Sequence, residues 1–403
     1  MAFFRALLLL PLLVSACAQV AQEGRSADAL SPDPAEVGLV PPGVNWPEVL
    51  PPEQNPCLQV ASDAAPDCGL YWAGPGSERA KVVAGHAMRY FDPARPTVVY
   101  VHGWQRGSMQ AGRRENFLFE AGEGQSVWTQ QAWVDAGWNV GVFYWDAFAD
   151  EDEVKDAEGK IWSALAPRGM RWRDASGAYR SGGGWPSAGE LFFHTLVHAL
   201  SAGPGTTLRV VGHSLGNQMA LRLAEQLGTL ATLHPEAAAF LPARVALLDP
   251  FWSKGGKDYL SGAWPGERCR AVAAGLRARG ALIEMYRSTA ILDLQIGDFN
   301  EEMQRYVALV RPAYWYLPAW DLVNKHTHVV HQYFWSYAFG GYGACITRPP
   351  FRHACRASSA LVPSAPLPDD ALLSIQDAKV DWIQREGRQS VSPSDDVFEV
   401  RER

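Results

Sequence analysis

The sequence predicts an α/β fold, a mostly parallel central sheet with helices on both faces. Three observations predict it. The apolar run Leu208-Arg209-Val210-Val211 is of strand type; it enters Gly212-His213-Ser214-Leu215-Gly216, and apolar residues at helical spacing follow from 219 to 227. A β-branched run over 97–101 stops at His102-Gly103-Trp104, where glycine permits a tight turn. Further strand-type runs at 139–145 and 243–248 alternate with helical patterns, the spacing of a parallel sheet.

Taken in order, residues 1–17 read as an export signal. Arg5 supplies the charge, and the apolar core at 6–14 is too short to span a bilayer. Val14-Ser15-Ala16-Cys17 resembles the bacterial lipobox, whose cysteine is acylated, while Ala16-Cys17-Ala18 fits an ordinary cleavage site. The lipoprotein is favoured, because a cysteine is otherwise unusual there. It implies attachment to a membrane through an N-terminal acyl anchor, with Ala18 resembling sorting to an outer membrane; the other reading is a soluble secreted protein. Residues 18–56 read as a flexible tether. A domain over 57–355 follows, then a weakly ordered tail over 356–403 with one amphipathic helix at 370–382. Export implies an oxidising compartment, so Cys57–Cys68 and Cys345–Cys355 are expected as local disulfides, with Cys269 left over. No cysteine pair has zinc spacing, so no structural metal is inferred. A net charge of −7 without a basic patch argues against nucleic-acid binding.

Within the domain, 70–72 and 81–84 are short strands and 127–134 is a helix. Residues 146–188 break the alternation. They read either as a lid over the serine or as an excursion packed on the domain, and the acidic run 150–153 reads as solvated. His194 and His198 lie four apart in a helix at 188–200, but without a third ligand they read as ordinary histidines. Strand 281–289 precedes Asp293 and Asp298, and 307–316 reads as the last sheet strand.

A Gly-x-Ser-x-Gly pattern between strand and helix is a nucleophile elbow. The turn is strained, and a side chain two residues either way from the serine would collide with the neighbouring strand or helix. Asp249 ends a strand one β unit after Ser214, well placed to orient a histidine. The base follows the last strand in the order Ser, Asp, His, and His326, His328 and His331 compete for it on a loop. A metal reading of that cluster is the weaker one.

The strand Arg95-Pro96-Thr97-Val98 ending in His-Gly-aromatic, followed by a Gly-His-Ser-Leu-Gly elbow, resembles the α/β-hydrolases, in particular the pancreatic-type lipase family. The resemblance implies an oxyanion hole from the backbone N–H groups of Trp104 and Leu215. It implies that Asp249, in Leu-Asp-Pro, is the triad acid; most other α/β-hydrolases take theirs after the next strand, which makes Asp293 and Asp298 the alternatives. It also implies a base followed by a Tyr about two turns on and a Ser one turn later. Tyr333 and Ser336 stand at those offsets from His326, so His326 is the expected base and His328 the second choice. Lys325 stands where the family has a cysteine, and 281–289 departs from its V-I-H-T strand. The implied activity is hydrolysis of carboxylic esters by Ser214, Asp249 and His326, without a cofactor. An acyl-lipid substrate rests on the resemblance, the sixteen tryptophans and the candidate lid. Lipase, phospholipase A1, short-chain esterase, thioesterase and acyltransferase remain open on this fold. A reading of another class is a non-catalytic envelope lipoprotein that uses the fold as a binding module; the presence of both serine and histidine argues against it.

Overall fold

The architecture is built on a twelve-stranded sheet seen in a computed structural model, which describes residues 46–62, 65–122, 125–203, 205–289, 297–347 and 355–403. In chain order the elements are β1 (Gly69–Ala73), β2 (Arg79–Lys81), β3 (Thr97–Val101), the ribbon β4 (Leu118–Gly122) with β5 (Gln125–Trp128), α1 (Gln131–Asp135) and β6 (Asn139–Tyr144). Next come α2 (Asp146–Ala149), α3 (Val154–Trp162), the ribbon β7 (Trp172–Arg173) with β8 (Tyr179–Arg180), and α4 (Ala188–Leu200). Then follow β9 (Leu208–His213), α5 (Gly216–Leu233), β10 (Pro242–Leu248), α6 (Pro265–Ala278), β11 (Leu282–Tyr286), β12 (Ala308–Arg311) and α7 (Leu322–Ser336). The last are β13 (Gly343–Ile346), β14 (Arg356–Ser358), α8 (Asp369–Gln376), β15 (Val380–Glu386) and β16 (Val397–Glu402).

The sheet order is β14-β13-β16-β15-β12-β11-β10-β9-β3-β6-β1-β2. From β15 through β12, β11, β10, β9 and β3 to β6 every pairing is parallel. The remaining pairings are antiparallel except β13 with β16. A parallel sheet needs cover on both faces, which is why its central strands are buried almost throughout and mostly apolar rather than alternating. Val245 and Leu247 of β10 point into one core, with α4, α5 and α6; Ala246 and Leu248 point into the other, with α7 and α8. Helix α4 starts at a capping box between Ser187 and Glu190.

Cys57 is disulfide-bonded to Cys68 and Cys345 to Cys355, as their spacing predicts. Cys269 is a free thiol buried on α6, where burial pushes its pKa up and keeps it protonated. Among the described residues no helix is long and apolar enough to cross a membrane. The export signal, Cys17, residues 18–45 of the tether and Asp293 lie outside the described residues.

Several expectations are corrected. Residues 46–56 do not behave as a tether: Asn55 Nδ2 donates to Thr195 Oγ1 at 3.0 Å, Leu50 N donates to His194 Nδ1 at 3.1 Å, and Trp46 stacks on His234. His194 and His198 are both buried. The segment 125–128 is a strand, and helix α1 starts only at Gln131. Residues 307–316 do not close the sheet, because β15 pairs with β12 on its outer side. The tail is not weakly ordered: 356–403 supplies three sheet strands and α8, so the domain does not end at 355. Two arginines on β9 and β10 dock it. Arg209 donates to Ala365 O at 2.8 Å and Arg244 to Ser364 O at 3.1 Å, and both pair with Asp369.

A buried polar network ties β15 and β16 to α7. Gln332 Nε2 and Gln384 Nε2 donate to the two oxygens of Asp396, at 2.5 and 2.6 Å; Gln332 also accepts from Tyr314 Oη, and Gln384 from Ala313 N. Burial pushes the Asp396 carboxyl up to about 7, against the hydrogen bond from Gln332 and with help from the Asp395 charge. The folded chain therefore holds a proton that the unfolded chain, with an ordinary pKa of about 4, has already released. This group's contribution to stability is expected to fall as pH rises from about 4 to 7, by at most about 1.4 kcal/mol per unit. Urea melts of wild type and Asp396→Asn at pH 5 and pH 8 check it: the wild type should lose ground to the variant at pH 8, and a constant gap would refute the assignment.

Candidate active site

The elbow follows from the packing of β9 against α5. Ser214 sits at φ 53°, a left-handed conformation that non-glycine residues rarely adopt. A Cβ on Gly212 would lie 2.6 Å from Gly216 O and 2.7 Å from Asn217 Cα; one on Gly216 would lie 2.4 Å from Val101 O. The turn is pinned from outside. Ser214 N donates to Leu248 O and Phe251 N donates to Ser214 O, while Asn217 Nδ2 lies 2.9 Å from both Ser214 O and Leu248 O. Asn217 is fully buried and was not singled out in the sequence, where an Asn in a helix's first turn carries no distinct signal.

Asp249 leaves the end of β10 at φ 41°, with its N–H on Tyr286 O of β11 at 2.8 Å. Its carboxylate is almost wholly buried and richly hydrogen-bonded. Oδ1 accepts from Ser288 N at 2.9 Å and Thr289 N at 3.3 Å; Oδ2 accepts from Thr289 Oγ1 at 3.0 Å and His326 Nδ1 at 2.8 Å. Ser288 Oγ lies 2.8 Å from Oδ2 and 3.0 Å from Lys325 O, so its single proton serves one or the other. Burial alone would push the Asp249 carboxyl up. The His326 bond and charge, with the Ser288 bond, outweigh it and hold the group below the ordinary carboxylate range.

His326 stands in the early part of α7 rather than on a loop, a correction to the expected placement. Helix α7 is capped by Asp321, whose Oδ1 accepts from Asn324 N, and Lys325 Nζ reaches back to Ala313 O at 2.8 Å. The carboxylate of Asp249 fixes the proton of His326 on Nδ1 and leaves the lone pair on Nε2. His213, the residue before Ser214, lies 4.6 Å from His326 ring to ring, and its Nε2 donates to His326 O at 2.9 Å. Burial, then the His326 charge, drives the His213 pKa down to about 3, so it is a neutral donor.

The other candidates lie elsewhere. His328 meets the Tyr316 hydroxyl and is walled by Phe119 and Tyr314; burial pushes its pKa far down. His331 is buried beside it, with its pKa lowered to about 4 by burial. Asp298 is engaged in its own turn, accepting from Asn300 N and donating its N–H to Trp252 O.

The His102-Gly103-Trp104 turn packs directly on the elbow. A Cβ on Gly103 would lie 2.8 Å from Ser214 Cβ and 3.2 Å from Leu215 N. Among the described residues, neither the Trp104 N–H nor the Leu215 N–H is hydrogen-bonded. Two unengaged backbone donors thus flank the serine at the N-terminus of α5, an arrangement that favours negative charge. His102 stays neutral, its pKa lowered to about 4 by burial, and its backbone oxygen accepts from Trp145 Nε1 at 2.8 Å.

The acidic run departs from the sequence reading in its first half, while Asp152 and Glu153 are exposed as expected. Asp150 and Glu151 are fully buried, not solvated. Glu151 pairs with Lys160 at 2.6 Å and Arg171 at 2.5 Å, and Asp150 with Arg173 at 3.2 Å. These partners follow at nine or more residues' remove, so no local pattern announces them. Of the two readings of 146–188, the packed one describes α2 and α3, whose inner residues join the main core. No protein-family model matches the chain, and no curated protein matches its sequence.

Proposed function

We propose that the chain is an exported serine hydrolase of the α/β-hydrolase fold that cleaves carboxylic esters, with acyl lipids as substrates. The observation that carries the reading is the 2.8 Å hydrogen bond from His326 Nδ1 to a buried Asp249, made beside the residue that precedes an elbow serine. In this mechanism His326 Nε2 takes the proton of Ser214 Oγ as the oxygen attacks the ester carbonyl. Asp249 holds the imidazole tautomer and stabilises the imidazolium. The N–H groups of Trp104 and Leu215 receive the oxyanion of the tetrahedral intermediate. His326 then returns the proton to the leaving alcohol, and water repeats the cycle on the acyl-enzyme.

The lipid half of the proposal is supported by the resemblance to pancreatic-type lipases and by two exposed tryptophans. Trp320 is 81% exposed and Trp315 39% exposed in the segment between β12 and α7 that leads to His326. Both disulfides are consistent with export, and Cys17 is the proposed site of acylation in the cell envelope.

Labelling by a fluorophosphonate tests the serine. Native protein is expected to take the label and Ser214→Ala to lose it, with unchanged circular dichroism. Folded wild type that takes none would favour the binding-module reading. Rates on p-nitrophenyl esters of rising chain length test the lipid half, and a sharp preference for acetyl would replace it with a simple esterase.

A further inference from the structure

The turn 103–109 packs on the elbow through Gly103, and what holds it is the 146–188 insertion. Asp150 accepts from two of its backbone donors, Gly107 N at 2.6 Å on Oδ1 and Met109 N at 2.9 Å on Oδ2. Glu151 O accepts from Trp104 Nε1 at 2.7 Å, and Ala149 O from Gln105 N at 3.4 Å. The holders are themselves held. Arg173 pairs with Asp150 and donates to Asp150 O at 3.1 Å. Glu151 is saturated by Lys160, Arg171 and Tyr179, and Lys160 also donates to Phe148 O and Arg171 O. Burying this many charges is costly unless each is paired and hydrogen-bonded, and here each is.

We infer that Asp150 is a positioning residue for the oxyanion hole: the buried Asp150–Glu151 cluster of the insertion fixes the Trp104 N–H in place against Ser214. The inference rests on the proposed hydrolase reading and goes beyond it. A donor aimed at a developing oxyanion is effective only if its direction is set before the reaction, and Trp104 precedes a glycine-containing turn, Gly107 at φ 73°, that has no strand or helix of its own to set it. Asp150 supplies that rigidity by accepting two of the turn's N–H groups on one carboxylate. The insertion is on this account a wall of the site, not a lid over it.

The experiment compares full-length wild type, Asp150→Asn and Glu153→Gln, the last an exposed neighbour that pairs with Lys155 outside the cluster. Asparagine keeps the shape but can accept on one oxygen only. Asp150→Asn is expected to lower kcat on a p-nitrophenyl ester by roughly 10- to 100-fold, below the cost of deleting an oxyanion donor outright, with KM within twofold. Affinity for a trifluoromethyl ketone, which forms a tetrahedral adduct on the serine, should weaken by the same factor. Glu153→Gln should match wild type. A variant with kcat and adduct affinity within twofold of wild type overturns the inference, as does a rise in KM with kcat unchanged. If Asp150→Asn fails to fold, Trp104→Phe decides. It keeps the backbone N–H but loses the tether to Glu151 O, and should show the same kcat loss in smaller degree; no loss overturns the inference. Wild type that neither turns over ester nor takes fluorophosphonate overturns the hydrolase reading and this inference with it. Labelled wild type beside an unaffected variant overturns the inference alone.

Discussion

His326→Ala is expected to lower kcat for ester hydrolysis by on the order of 10⁴- to 10⁶-fold, while His328→Ala leaves it within a few-fold. The two residues are one helical half-turn apart, yet their surroundings are opposite. His326 donates from Nδ1 to the buried Asp249 carboxylate, which orients the ring and leaves Nε2 as the accepting atom. His328 is enclosed by Phe119, Tyr314 and the Tyr316 hydroxyl, and burial keeps it neutral. Its loss should register in stability instead, by about 1–3 kcal/mol for a buried ring removed with its hydrogen bond. Steady-state rates and thermal melts on the two variants are sufficient to separate the roles. Turnover abolished in His328→Ala and kept in His326→Ala would transfer the base to His328.

The second large effect is expected at Asp249. Asp249→Asn should lower kcat by roughly 10⁴-fold with little change in KM. The carboxylate accepts from two backbone N–H groups, a threonine hydroxyl and His326. An amide has only one accepting oxygen. The backbone donors claim it, and the NH₂ group turns to His326, where it can only donate. The imidazole must then accept on Nδ1, which moves its proton to Nε2, the atom that has to take the serine proton. Fluorophosphonate labelling should slow by a comparable factor, while Ser214 stays chemically competent. The variant also loses a charge that is depressed in the folded state. That charge contributes stability above the unfolded carboxylate pKa, and the contribution fades as pH falls through the lower folded value. A fully active Asp249→Asn would remove this residue from the triad.

The parts of the site that were legible in the sequence are those fixed by local backbone sterics. Gly212 is required because the start of α5 lies against β9, and Gly216 because it lies against Val101 and His102 at the end of β3; both constraints are written into five consecutive residues. The order of Ser214, Asp249 and His326 along the chain was legible because each follows a sheet strand. What was not legible depends on distant partners. Asp150 and Glu151 read as solvated because a charge run carries no sign of Lys160, Arg171 and Arg173 folding back over it. Residues 356–403 read as a loose tail because β15 is partly exposed and mixed in composition, and the arginines that dock the segment lie on β9 and β10. His326 was expected on a loop because the base of such a site follows the last strand on one, whereas Asp321 caps a helix that already runs from Leu322.

The placement of β15 beside β12 has a kinetic consequence. Arg311 and Asp381, which are hydrogen-bonded across that pairing, are 70 residues apart in sequence. Closing so long a segment costs chain entropy before any strand contact repays it, and such non-local pairings form late. The Cys345–Cys355 cross-link lies inside the segment and shortens it by locking a stretch with a sequence separation of 10. Helix α7, with His326, lies inside it too. The serine elbow and Asp249 belong to the earlier half of the sheet, so the proposed nucleophile and acid can be assembled while the proposed base, His326, is still being delivered. On the proposed hydrolase reading, the complete site then belongs to the last stage of folding.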